Sequence, residues 1–177
     1  TVGKLNPPLY AFLFKQKAKD LKAEKSQRDR KFDRQRDLLK IKLSCVKERM
    51  LFTAEYMSKP NLGEYKEAFG EIPAKPSQPI RIEFDNPDAT PHNFVLVQPG
   101  SLEEVGLAAN EMAKDPEAAK SGQFIPKSKK IIIHSRMLKQ GEKETLRFKA
   151  PRKPGRYPYL CSFPGHWTIM KGVLVVK

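Results

Sequence analysis

The segment Cys161-Ser-Phe-Pro-Gly-His166-Trp-Thr-Ile-Met170 places a thiol, an imidazole and a thioether within ten residues. A second imidazole, His92, stands about seventy residues upstream in Pro-His-Asn-Phe-Val-Leu-Val. Donors divided in this way meet only if the fold closes a short loop onto a distant strand end, so the spacing constrains architecture and chemistry together. A cysteine thiolate, two neutral imidazoles and a long axial thioether suit a copper ion that changes by one electron, because both oxidation states tolerate the compromise geometry. Zinc is a rival, since cysteine with histidine is a common zinc set, but methionine is a poor zinc ligand and no second thiol pair lies nearby. Taken singly, each residue also fits a bland reading: a core methionine, a buried cysteine and incidental histidines. The third histidine, His134, ends an apolar strand with no ligand partner around it and reads as a surface or strand-end residue.

From Leu38 onward hydrophobicity alternates with a period of two. Ile41, Leu43 and Cys45 alternate with polar residues, and Met50-Leu-Phe-Thr continues an apolar face. Ile80–Asp85, Asn93–Gln98, Lys130–His134, Glu144–Lys149, Gly155–Cys161 and Lys171–Val176 read as further strands. Residues 60–79, rich in Pro, Gly and Lys, read as loop with one short helical turn at Glu64–Phe69. Ser101 to about Lys120 reads as helix, with Ser101 as cap and Glu103 and Glu104 at its positive end. Seven or eight short strands with turn-rich joints predict a mainly β protein, a Greek-key β-sandwich carrying a helical insertion. Before it, from Leu9 to about Asp37, no Gly or Pro interrupts a run of charged residues, which predicts a long helix starting at Asn6-Pro-Pro. Lys25 and Arg28 break its apolar seam, which argues against a sustained coiled coil. Two segments follow: a basic helical extension or linker over 1–37 and a sandwich domain over 38–177.

Charge is spread unevenly. The chain carries a net +14, and residues 1–42 hold 13 Lys/Arg against 5 Asp/Glu. Nucleic-acid binding is not expected, because no recognisable binding module accompanies the charge. An acidic redox partner or an anionic membrane surface, met through the basic amino-terminal helix, accounts for it by electrostatic steering. No apolar run approaches membrane-spanning length. With two cysteines and Cys161 engaged, Cys45 has no disulfide partner and reads as a small buried strand residue.

The region from about Leu38 to Lys177 resembles the cupredoxins, the azurin and plastocyanin family of type 1 blue copper proteins. Four residues between Cys161 and His166 and three between His166 and Met170 match azurin spacing, and Asp85-Asn-Pro-Asp-Ala-Thr-Pro-His-Asn is similar to the family's His-Asn element. The resemblance implies one copper ion held by His92, Cys161, His166 and Met170, with the Pro91 carbonyl in the place of a weak fifth contact usually made by glycine. Asn93 would pin the two ligand loops near the Cys161 sulfur, and Phe163 would belong to the shell behind the ligands. His166, with Pro164 and Trp167, would be the electron exit and docking point, and the helical insertion would correspond to the azurin flap. It also implies an exported, periplasmic protein, for which a chain starting at Thr1 is consistent with processing.

No phosphate loop, haem motif or nucleophile elbow occurs, so an electron carrier and not an enzyme is expected. Two alternatives stand beside it: the electron-accepting module of a larger dehydrogenase or haem-containing redox protein, and copper storage or delivery. The second predicts Met-rich or paired-Cys sites, whereas only Met170 of five methionines sits among other ligands.

Overall fold

The computed structural model describes the backbone of residues 7–46, 49–56, 59–66 and 71–177, and the side chains of 15–45 and 71–177. The chain divides into two units, 1–35 and 36–177.

The first unit is helix α1, Pro7–Asp33. Its residues 15–28 are all exposed, including Leu21, and charged side chains lie all round it. Among its described side chains no apolar stripe is buried, and local pairs such as Gln16 with Asp20 support the helix. Asn6, expected to cap it, lies outside the described residues. None of the described helices is long and apolar enough to cross a membrane.

The second unit is a sandwich of two five-stranded sheets. Strands β1 (Leu39–Val46), β2 (Arg49–Tyr56), β3 (Lys59–Lys66), β5 (Pro79–Asp85) and β8 (Lys143–Lys149) form one sheet in the order β3-β2-β1-β5-β8. Strands β4 (Glu71–Ala74), β6 (Val95–Val97), β7 (Ile131–His134), β9 (Gly155–Leu160) and β10 (Lys171–Val176) form the other, in the order β4-β10-β9-β6-β7. Alternation decides which side chains enter the core. Leu39, Ile41, Leu43 and Cys45 from one sheet meet Ile72, Tyr157, Tyr159, Leu174 and Val176 from the other in one cluster. Cys45 is a free, fully buried thiol whose pKa burial pushes up, with the nearby Cys161, Asp85 and Asp88 acting in the same direction.

The segment expected to be loop holds two strands instead. β3 covers 59–66 and β4 covers 71–74, so residues 64–66 are strand and not a helical turn; 67–70 lie outside the described residues. Both are edge strands, and an edge strand tolerates the Pro60 and Pro73 that argue against strand in sequence. The insertion is also not one helix. It forms α2 (Leu102–Met112) and α3 (Pro116–Ser121), because Pro116 cannot continue α2 and instead starts a new helix, where Asp115 accepts from the Glu117 N–H at 3.0 Å. Ser101 occupies the cap position of α2 without a side-chain hydrogen bond to the helix.

Strand β6 explains where α2 must sit. Its Val95-Leu-Val97 run is buried on both faces. Leu96 enters the main core, while Val95 and Val97 pack with Val105 of α2, Leu160 and Trp167. A β-sheet face this apolar needs a cover, and α2 supplies it with Val105, Gly106 and Ala109. The helix is thereby anchored beside the Cys-His-Met loop.

Candidate metal centre

His92 and Cys161 reach the site from different strands. His92 precedes β6 and is locked by two backbone hydrogen bonds with Leu138, N–H to O at 3.0 Å and the reverse at 2.7 Å. Ser135, fully buried, accepts the Phe94 N–H on its Oγ at 2.9 Å and fixes the next turn of chain. The loop before His92 is organised by Asn86, whose Nδ2 donates to the Thr90 carbonyl at 2.8 Å and to the Leu138 carbonyl at 2.9 Å. Cys161 follows β9, and its N–H donates to the Met170 carbonyl at 2.9 Å. The Met170 N–H in turn donates to the His166 carbonyl at 2.7 Å, which folds the loop over a short 3-10 turn at His166–Thr168.

Three donors converge. The Nδ1 atoms of His92 and His166 lie 3.7 and 3.8 Å from the Cys161 sulfur, and all three ligand atoms fall within 4.8 Å of one another. A trigonal site with a metal–sulfur bond of about 2.3 Å and metal–nitrogen bonds of about 2.0 Å spaces sulfur and nitrogen about 3.8 Å apart. The observed distances match that spacing, so the residues fit a single ion. Met170 is fully buried in the same cluster as Cys161, tied by its backbone to both Cys161 and His166. Cys161 and His92 are fully buried and His166 is half-buried.

Electrostatics act oppositely on the two buried donors. Burial, then the charge of His166, lowers the His92 pKa to about 4 against the opposing pull of Asp88, so the imidazole is neutral at neutral pH. Its Nε2 is buried with no hydrogen-bond partner among the described residues, and the Asp88 carboxylate stands 3.9 Å away. The Cys161 thiol is pushed up to about 11 by burial, although the backbone N–H groups of Asn93 and Phe163 favour the thiolate. A bound cation would supply the positive countercharge that favours the buried thiolate over the thiol.

Asn93 spans the two ligand segments. Its Nδ2 donates to Ser162 Oγ at 2.8 Å and its Oδ1 accepts the Ser162 N–H at 2.7 Å. Phe163 lies against His166 with ring centroids 4.6 Å apart. Pro164, His166 and Trp167 are half-buried, and Ile169 and Leu107 are both 50% exposed. His134 lies apart from the cluster, an exposed strand end whose Nδ1 contacts the Ser135 carbonyl. Sequence reasoning gave no role to Asn86, Ser135, Asn110 or Phe124. Only Asn86 carried a signal, an Asn-Pro turn beside the His-Asn element.

Gly106 of α2 sits under the Trp167 ring so closely that a Cβ would lie 2.3 Å from it. Gly106→Ala gains about 1 kcal/mol of helix propensity, yet overpacking of this contact costs typically 1–3 kcal/mol. The expected result is net destabilisation in denaturant unfolding; a gain in stability would show that the contact yields freely.

The family model for copper binding proteins of the plastocyanin/azurin family matches residues 70–177. The chain is similar to the dithionite-reduced auracyanin of Roseiflexus castenholzii, with 30% identity and a TM-score of 0.55 over 81% of this chain and 98% of that one. It is 34% identical to auracyanin-A of Chloroflexus aurantiacus over 109 residues, covering 60% of this chain and 64% of the relative, and 36% identical to azurin iso-2 of Methylomonas over 89 residues, covering 49% and 64%. The chain thus spans just under two-thirds of the length of these curated relatives. A matched family model over more than half the chain, a related sandwich and a cluster of two imidazoles and one thiol agree: the chain belongs to the copper-binding plastocyanin/azurin family.

Proposed function

We propose that this protein is a one-electron carrier built on a mononuclear type 1 copper site, with His92, Cys161, His166 and Met170 as ligands and no substrate to turn over. The observation that carries it is the convergence of two imidazole Nδ1 atoms on one buried sulfur at 3.7 and 3.8 Å. Copper, when bound, supplies the Cu(I)/Cu(II) couple. The protein does the rest. Cys161 offers a covalent, strongly coupled path into β9. His92 anchors the buried side, and the Pro91 carbonyl is a candidate weak contact beside it. Asn93 holds both ligand segments in one geometry, so little rearranges during transfer. Phe163 shields His166 from water on one face.

His166, with Pro164 and Trp167, forms the exit. Ile169, exposed in the same loop, adds apolar surface suited to a small, transient contact that dissociates quickly. The redox partner in this reading presents an acidic surface, steered by the chain's net +14. The basic α1 is a second place for such a partner or an anionic membrane surface to make contact. An exported, periplasmic setting completes the reading and rests on the family alone.

The test is a redox titration of the copper-loaded protein followed in the visible. A reversible one-electron change in an intense band supports the carrier; a folded, copper-loaded sample that stays colourless refutes it. In the same titration Met170→Leu should keep the band and raise the potential, because the apolar side chain no longer helps to stabilise Cu(II). Each tenfold change in relative affinity for the two oxidation states moves a one-electron potential by about 59 mV. An unchanged potential would remove Met170 from the ligand set.

A further inference from the structure

The insertion between β6 and β7 touches the His166 loop in three places. Asn110 Oδ1, on α2, accepts the Gly165 N–H at 2.8 Å across fifty-five residues of sequence. Gly106, one turn earlier, lets the Trp167 ring lie directly on the helix backbone, where any side chain would collide. Phe124, beyond α3, meets Phe163 edge-on at 5.8 Å, and Phe163 lies 4.6 Å from the His166 ring. The insertion therefore holds the residue before His166, the residue after it and the aromatic ring against it.

Two details show that these contacts are specified and not incidental. Phe124 has a φ of +45°, a left-handed conformation unusual for a bulky side chain and retained only where surrounding contacts over-determine it. The neighbouring Gln123 ties this segment down by accepting the Met137 N–H on its Oε1 at 3.0 Å. Gly165 is exposed and left-handed at φ +85°, so without Asn110 its N–H would face solvent and the turn into His166 would lose its anchor. His166 is also the one member of the clustered donors that is not fully buried, and so the one most in need of external support.

We infer that the insertion is a brace that holds His166 in its ligating position before metal arrives, with Asn110 as the positioning residue. The brace rests on the proposed function for the identity of the metal, but its action is a property of the metal-free chain. A ligand already ordered loses less conformational freedom on binding, and this raises affinity without a new metal contact.

The experiment compares wild type, Asn110→Leu and Asn110→Asp. Leucine keeps the bulk and removes the acceptor, while aspartate restores an acceptor oxygen. In the metal-free chain, N110L should speed hydrogen exchange at the Gly165 amide by roughly threefold to tenfold, the equivalent of one ordinary hydrogen bond. Exchange in β10 should be unchanged, which reports an intact fold. Zn(II), titrated alone as the probe, should bind N110L more weakly by a similar factor, and N110D should restore both values. Phe124→Gly provides a second arm: glycine suits the left-handed backbone, so the fold should hold while Zn(II) affinity falls. Unchanged Gly165 exchange in N110L, or wild-type Zn(II) affinity in both N110L and F124G, would overturn the brace. A copper-loaded protein without colour would refute the electron carrier and leave the amide result standing, so the two failures are distinguishable.

Discussion

Cys161→Ser should leave the copper-loaded protein without the intense visible band that a copper–thiolate bond gives to this class of site. The substitution exchanges a soft, polarisable donor for a hard hydroxyl whose proton is far more tightly held, at the one position both Nδ1 atoms face. Loss of colour through unfolding is not expected. Serine is close in size, and its Oγ remains an acceptor for the Asn93 and Phe163 N–H groups that favour the thiolate. Circular dichroism should therefore match wild type while the visible spectrum is empty. A persisting band in Cys161→Ser would mean that the chromophore lies elsewhere and would break the link between this loop and the metal.

Asn93→Ala should strongly destabilise the metal-free fold. It removes both side-chain hydrogen bonds from Asn93 to Ser162 and strands the Ser162 N–H and Oγ in a fully buried place. Each unsatisfied buried group costs about 1–3 kcal/mol, so the expected loss is on the order of 3 kcal/mol. That is a large part of the stability of an ordinary domain. Urea unfolding of the metal-free protein should show a lower midpoint with an unchanged slope, since the surface exposed on unfolding is the same. A loss below about 1 kcal/mol would indicate that the two segments are held chiefly by the backbone ladder around them.

Much of this was legible in sequence because it is local. The Cys161-to-Met170 loop announces itself through donor spacing, and strands such as β5 and β10 alternate cleanly enough to be read one by one. The errors share a physical origin. β3 and β4 escaped because Pro60, Gly63 and Pro73 signal loop, and only their position at sheet edges makes them admissible as strand. The break between α2 and α3 stood in the sequence as Asp115-Pro116 and was outweighed by the apolar face that Val105, Leu107, Ala108 and Met112 give before it. Asn86 stood in a recognisable Asn-Pro turn, but Asn110 could not be found by any local pattern. Its partner lies 55 residues away, and an asparagine in a helix carries no mark of what it will meet across the fold.

The contact between Gly106 and the indole of residue 167 has a practical consequence. This is the sole tryptophan in the chain, so all of the protein's tryptophan emission originates next to His166. Its indole nitrogen is shut away from solvent, and any event that lifts the ring off the helix would move the emission toward the red. The molecule thus carries a built-in optical gauge of one loop, readable in dilute solution with no label attached.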